Sequence, residues 1–283
     1  MAPWKRVGVV LRPGEGEMAP LLSRVLAILA ENSLDVLVDP EAGGHAPEAE
    51  SAPLEEVAGR SDLVIALGGD GTVLAVARAI GARDAPIVGV NLGRLGFLAD
   101  VSPEDVDAAL PAILSGDYAV HERSRLAVEA PDGTRHLVLN DVVFARGGEP
   151  GGMIELEARA DSRLIARYRA DGLIVSTPTG STAYNLSASG PLLDAEVPAM
   201  VLTPICPHTL TQRPLVLPDS LRVDVQPVSG EEVRVRLDGG EGLLLRPGQS
   251  VGVTRSDHPV RFVTPSGRDP FETLRTKLGW GSR

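Results

Sequence analysis

The apolar pattern changes period once, near Gly116, and no other feature of this 283-residue chain constrains its fold as strongly. Ahead of that point, strand-like and helix-like stretches alternate. Residues 7–11, 36–38, 63–67 and 86–90 are short apolar runs of the kind a buried strand requires. Between and after them, Met18, Leu21, Leu22, Val25, Leu26 and Leu29, and later Val106, Ala109, Leu110, Ile113 and Leu114, recur at helical spacing. Such alternation predicts a parallel sheet with helices on its faces. Beyond Gly116 the period is two. Leu221, Val223 and Val225 alternate with polar neighbours, as do Val233, Val235 and Leu237, and turn residues recur at Pro131-Asp132-Gly133, Ala160-Asp161-Ser162, Val228-Ser229-Gly230 and 245–248. That is the pattern of half-buried antiparallel strands. The expected class is α/β: an N-terminal parallel-sheet α/β domain over 1–120, then a C-terminal β-rich, sandwich-like domain over 121–262. A helical segment over 263–283, marked by Phe271, Leu274 and Leu278, is expected to return to the first domain. Residues 40–60, rich in Gly, Pro, Ala and Glu, read as a mobile loop.

Composition removes several function classes. A net charge of -11 argues against a broad nucleic-acid or anionic-membrane surface. No window approaches the apolar length of a membrane span. The first six residues lack an apolar core, so no signal peptide is expected. Lys5 and Lys277 are the two lysines of the chain, and neither follows a glycine-rich loop, which excludes a Walker A phosphate loop. The single Cys206 cannot form an internal disulfide; it reads as a small core residue and fits a reducing, cytoplasmic setting. The histidines have no metal-ligand spacing, so no structural metal site is expected.

Three segments carry chemistry. Leu63–Leu67 runs into Gly68-Gly69-Asp70-Gly71-Thr72 and then into an apolar helix-forming run. One carboxylate therefore stands on a glycine turn between strand and helix, where open α/β sheets place ligands and where a helix start favours phosphate. An acid there suits a general base in phosphate chemistry; an ordinary strand-to-helix turn is the plain alternative. The second segment, Arg169 to Asn185, ends a strand in Thr177-Pro178-Thr179-Gly180-Ser181-Thr182 and continues with Ala183, Tyr184 and Asn185. Its hydroxyls, free amides and aromatic ring are the parts that hold a nucleotide's sugar, phosphate and base, although Ser181 or Thr182 would equally cap a following helix. In the third, Asn140-Asp141 interrupts a continuous apolar stretch, a costly placement unless ribose hydroxyls, a β-bulge or a turn satisfies the pair. Near them, Phe97 and Arg94 follow the 86–90 strand, with base stacking or core packing open to the phenylalanine. Gly14-Glu15-Gly16-Glu17-Met18-Ala19, with Asp39 beyond, imitates a dinucleotide fingerprint, but two glutamates would face the pyrophosphate, and the stretch reads as a solvated loop.

Taken together and in this order, these segments resemble the NAD kinases. The likeness rests on Gly68 to Gly71, Asn140-Asp141 and the Asp171 to Tyr184 run. It continues through Ser187-Ala188-Ser189-Gly190-Pro191, Thr203-Pro204-Ile205-Cys206-Pro207-His208, Arg213-Pro214 and Lys277-Leu278-Gly279-Trp280. The resemblance implies phosphoryl transfer from ATP or polyphosphate, with Mg²⁺, to the 2′-hydroxyl of the adenosine ribose of NAD. It implies Asp70 as general base. It implies an NAD site from Gly71, Phe97, Asn140, Asp141, Arg169, Asp171, Thr179, Thr182, Ala183, Tyr184, Asn185 and Ser187, with Arg78 and Arg94 as phosphate candidates. It also implies a homo-oligomer, dimer or tetramer. Two departures stand out: Asp238-Gly239-Gly240 replaces the family's Asp-Gly-Gln, and Ala75 stands where many members carry a basic residue. The alternatives are a lipid kinase of the diacylglycerol or sphingosine type, sharing the Gly-Gly-Asp-Gly logic, and a non-catalytic NAD(H)-sensing protein.

Overall fold

The computed structural model describes residues 4–12, 18–92, 96–147, 153–228, 232–267 and 269–280. They form two compact units, one built from 1–122 with 260–283 and the other from 123–259.

The first unit opens with β1 (Arg6–Leu11), α1 (Ala19–Glu31) and β2 (Asp35–Val38). Next come α2 (Pro40–Gly43), β3 (Glu50–Ser51), α3 (Leu54–Arg60) and β4 (Leu63–Leu67), then α4 (Asp70–Ile80), β5 (Ile87–Val90), α5 (Val106–Ser115) and β6 (Tyr118–Arg123). All five residues of β4 are buried, as a strand covered on both faces requires. The stretch over 40–60 is not the loop that its composition suggests. Buried Asp39 caps α2, its Oδ1 accepting from the Ala42 and Leu11 N–H groups at 3.1 Å each. Beyond α2 the chain pairs β3 with β2 at the sheet edge, and α3 buries Val57 and Ala58. A tertiary cap and an edge pairing organise a segment whose local composition favours disorder. Asp39→Ala is expected to cost about 1–2 kcal/mol, read as a lower urea midpoint at unchanged slope. Its use as a cap also explains Asp39 without a dinucleotide; Gly14 to Glu17 lie outside the described residues.

The second unit contains β7 (Leu126–Glu129), β8 (Arg135–Val138), β9 (Asp141–Arg146), β10 (Ile154–Ala160), β11 (Arg163–Ala170) and β12 (Gly172–Ser176). A single 3₁₀ turn (Thr179–Thr182) leads into α6 (Tyr184–Ser187). There follow β13 (Ala199–Ile205), β14 (Leu215–Pro218), β15 (Val223–Pro227), β16 (Val233–Leu237), β17 (Leu243–Leu245) and β18 (Val251–Arg255). Among the described residues these make two six-stranded sheets, ordered β11-β10-β15-β18-β7-β8 and β14-β13-β12-β9-β16-β17, with antiparallel pairings. Leu156, Val225 and Val253 of one sheet share a single buried core with Phe144, Val175 and Val235 of the other. This is the sandwich that the period-two pattern predicts.

The chain then re-enters the first unit with β19 (Val260–Pro265) and α7 (Pro270–Leu278). The sheet of that unit reads β3-β2-β1-β4-β5-β19-β6, and β2–β3, β1–β2, β1–β4, β4–β5 and β5–β19 are parallel pairs. Cys206 departs from its expected place. It is exposed and has a positive φ of 46°, at the point where the chain leaves β13.

Candidate active site

The glycine loop after β4 is shaped by contact as well as by flexibility. A Cβ on Gly68 would collide with the Thr72 hydroxyl, so this position tolerates no side chain without a shift. At Gly69 and Gly71 an added Cβ meets nothing within 4 Å, which leaves that side of the loop open. Asp70 is the first residue of α4, where negative charge is favoured by the helix dipole. Its carboxylate is held by the loop after β5: Oδ2 accepts from the Phe97 N–H at 3.1 Å, and Oδ1 accepts from Leu98 at 3.0 Å and Ala99 at 3.4 Å. A Cβ on Gly96 would collide with Oδ1. Each carboxylate oxygen has two lone pairs, and 34% of the Asp70 side chain remains accessible, so the fixed group still has acceptor capacity toward solvent. Gly96→Ala is therefore expected to displace the carboxylate and slow turnover at least about tenfold, since small misplacements of a reacting group are expensive. Gly71→Ala should leave the thermal midpoint unchanged. Melting curves beside steady-state rates check both.

Lys277 of α7 completes this part of the site, with Nζ 3.8 Å from Asp70 Oδ2 and 4.6 Å from the centre of the Phe97 ring. The Phe97 ring is thus half-buried beneath an ammonium. Arg78 is exposed two turns along α4 from Asp70, about 12 Å at 1.5 Å per residue. Ala75 lies on the same helix, and Arg94 lies outside the described residues.

In the second unit Asn140-Asp141 does not interrupt one strand. It is the step by which the chain leaves β8 in one sheet and enters β9 in the other. The N–H groups of Leu139, Asn140 and Asp141 all donate to the Asp238 carboxylate, at 2.9, 2.7 and 3.3 Å. Asp238, at φ 49°, returns its own N–H to the Asp141 carbonyl at 3.0 Å. The hydroxyl-rich segment is tied to the same step: Thr177 N–H donates to Asn140 O at 2.9 Å, and its hydroxyl donates to Leu139 O at 2.6 Å. A Cβ on Gly180 would collide with the Asn140 carbonyl. Asp141 is buried and accepts from the Tyr184 N–H; burial first and Asp238 second push its carboxyl up to about 7. Arg125, also buried, donates to the His258 carbonyl at 2.6 Å, and burial pulls its guanidinium down to about 10 against the opposing pull of Asp238.

The remaining residues singled out from sequence divide by environment. Asn185 is buried with every polar position used: its amide donates to Ser181 O and Pro191 O, and its oxygen accepts from the Thr203 hydroxyl. Ser181 bonds Leu193 and Thr182 bonds Thr179 O, so neither caps α6, whose first flanking residue is Ala183. The buried Thr179 hydroxyl has no protein partner among the described residues. Tyr184 is 46% exposed, Ser187 is exposed, and Ala183 and Thr182 are half-buried. Asp171 and Arg169 are exposed and stand away from this group. Ser176 pairs with Asp141 at one end of β12, whereas Asp171 precedes Gly172, which pairs with Ala145 at the other. Asp238 and Lys277 are the two participants that sequence reasoning passed over. Asp238 stands in sequence only beside Gly240, which departs from Asp-Gly-Gln, and Lys277 only in the terminal Lys-Leu-Gly-Trp likeness, with no glycine loop before it.

A carboxylate fixed on an open glycine loop at a helix start, in a chain whose other half presents amide, hydroxyl and aromatic groups on a sandwich, defines a small-molecule phosphotransferase. Residues 7–118 match the ATP-NAD kinase N-terminal domain, and residues 139–265 match the ATP-NAD kinase C-terminal domain. The chain belongs to the NAD kinase family, and it is an enzyme of that activity. It is 39% identical to the NAD kinase of Geotalea daltonii, covering 99% of this chain and 100% of the relative. It is 40% identical to that of Geobacter sulfurreducens over the same shares. Among solved structures, yeast NADH kinase complexed with NADH superimposes with a TM-score of 0.92 at 26% identity, covering 99% of this chain and 89% of the other. An NAD kinase from Archaeoglobus fulgidus in complex with ATP gives a TM-score of 0.76 at 26% identity, covering 97% and 98%.

Proposed function

We propose that Asp70 is the general base of the reaction, which converts NAD to NADP. The 2′-hydroxyl oxygen of the adenosine ribose attacks the terminal phosphorus of the donor. The new O–P bond forms as the bond to the leaving phosphate oxygen breaks, and the hydroxyl proton passes to Asp70. Such transition states are loose, so position matters more than basicity, and three backbone N–H groups fix this carboxylate. That fixed, partly open acid is the observation that carries the reading. Gly71 leaves room for close approach, and Phe97 contacts the adenine. Asn140 and Asp141 receive ribose and nicotinamide-side polar groups, joined by Thr179, Thr182, Ala183, Tyr184 and Ser187; Asp171 and Arg169, which lie just before β12 at its far end, are proposed for more distant polar contacts. Asn185 holds that segment in shape from inside.

ATP is the donor favoured by the family description and by the ATP-bound archaeal relative, with polyphosphate the second donor to test. The divalent ion enters as MgATP. Among the described residues no group of three Asp, Glu, His or Cys side chains gathers to hold a metal, and Mg²⁺ typically takes substrate phosphates and water beside one or two carboxylates, a role Asp70 can share. When bound, the ion neutralises phosphate charge. The NADH-bound yeast relative makes NADH a second acceptor to assay. No helix among the described residues is long and apolar enough to cross a membrane. The proposed location is the cytoplasm, whose reducing setting a lone cysteine fits, and the proposed assembly is the dimer or tetramer that the family likeness implies. The experiment is NADP formation from NAD and MgATP, repeated with polyphosphate and with NADH, and mass measurement of the native particle. NADP from NAD and MgATP supports the donor assignment; product from polyphosphate only would replace it.

A further inference from the structure

The charge balance around Asp70 raises a problem that the glycine loop does not solve. A donor phosphate must come close to a carboxylate in a chain of net charge -11. Like charges so placed repel, and the loop has no lysine of its own. Arg78 is two turns away along α4 and exposed. Among the described residues, a cation placed against the Asp70 carboxylate comes from a distant part of the chain. Lys277 on α7 brings Nζ to 3.8 Å from Asp70 Oδ2, too long for a tight hydrogen-bonded pair, and rests on the Phe97 ring at 4.6 Å. Its side chain is 29% accessible, so its three donors are not enclosed by protein. The helix is held for this placement. Asp269 caps it by accepting from the Phe271 N–H at 2.9 Å, Thr273 is buried, and Gly279 at φ 65° ends it, with the Trp280 N–H closing on Arg275 O at 3.0 Å.

We propose that Lys277 is a catalytic residue, the cation that binds the transferring phosphate of the donor beside Asp70. This rests on the reading of Asp70 as the base. The ammonium donates hydrogen bonds to non-bridging oxygens of the terminal phosphate and transfers no proton. The electron pair of the breaking P–O bond leaves with ADP, and the proton of the 2′-hydroxyl goes to Asp70. Phe97 fixes the ammonium by cation–π attraction, which orients it without neutralising it. A lysine suits this position because it is a compact charge with rotatable donors. The function of a P-loop lysine is thereby supplied from the opposite end of the sequence.

The test compares Lys277→Met, Lys277→Gln and Lys277→Arg in steady-state NADP formation and in titration of ATP alone by calorimetry. The two neutral variants are expected to raise KM for ATP about tenfold and lower kcat about 10- to 100-fold, leaving KM for NAD within about twofold. Arginine should restore ATP affinity to within about fivefold of the parent. Trp280 fluorescence and the thermal midpoint report whether α7 remains docked. Parental ATP affinity and turnover in either neutral variant would overturn the assignment. So would equal losses in all three variants, which would make Lys277 a packing residue. Asp70→Asn keeps the two readings separate: full activity there removes the base, while the ATP titrations still decide Lys277.

Discussion

Asp70→Asn is expected to lower kcat for NADP formation by about 10²- to 10⁴-fold while NAD still binds. The substitution preserves volume and removes the carboxylate proposed to accept the hydroxyl proton. It also carries a smaller structural cost. The present carboxylate accepts N–H groups on both oxygens. An amide offers one oxygen, so its NH₂ must face either the Phe97 N–H or the Leu98 and Ala99 pair. Two donors then meet, at about 1–3 kcal/mol. Turnover should therefore collapse by far more than the melting temperature falls. Calorimetric NAD titration beside rate measurement distinguishes the two: retained binding with lost turnover supports the base, and undiminished turnover removes Asp70 from the mechanism.

The second large effect concerns Asp141 and has a sign that composition would not suggest. In the unfolded chain this carboxyl titrates near its ordinary 3.8; in the folded protein burial and then Asp238 push it up to about 7. Below about pH 4 both states hold the proton and the site imposes no ionisation penalty. Between about 4 and 7 the unfolded chain gains ionisation that the folded state resists, so stability falls as pH rises. Above 7 the penalty is constant, on the order of 4 kcal/mol. Asp141→Asn imitates the protonated form and still accepts from the Tyr184 N–H. The variant should thus exceed its parent in stability by a few kcal/mol at pH 8, with the gap closing toward pH 4. Urea unfolding at pH 4.5, 6 and 8 measures it, and a gap that does not change with pH would refute the coupling. Because ribose hydroxyls donate best to an ionised carboxylate, the more stable variant should bind NAD about tenfold more weakly at pH 8. If Asp141 meets the ribose as proposed, stability and binding are opposed at this residue, as they often are at sites that keep a buried charge for a ligand.

What could be read from sequence follows the range of the forces involved. Leu63–Leu67 and the alternation through Val233, Val235 and Leu237 were legible because strand burial is written in consecutive residues. The mixed α/β class followed from those periods. Asp39 and the 40–60 stretch were not legible, since a cap reaching Leu11 and an edge pairing with β2 are tertiary events. Cys206 was misread for a similar reason: residue type favours burial, whereas the backbone turn at that point exposes it. At the site, residue types could suggest chemistry, but not which side chains are already occupied. Asn185 is the clearest instance, a polar residue in a hydroxyl-rich run whose amide is wholly engaged inside. Asp238 grips Asn140 across 98 positions, and Lys277 reaches Asp70 from farther still. No local pattern marks either partnership. The repeat of N–H donors converging on Asp238 becomes visible when the two sheets are in place.

The position of β19 has a consequence for how the protein is made. Its strand lies between β5 and β6 in the first sheet, yet residues 123–259 are translated between β6 and β19. At ribosomal speeds that interval is on the order of ten seconds. Throughout it, β5 and β6 wait with an unfilled slot between them, and unpaired strand edges are what chaperones and neighbouring nascent chains recognise. The sandwich, whose strands are contiguous in the chain, can finish first. Biosynthesis of the unit that carries Asp70 is thus completed by its most distant strand, so a product terminated before β19 would hold a complete sandwich beside a first sheet with its slot still open.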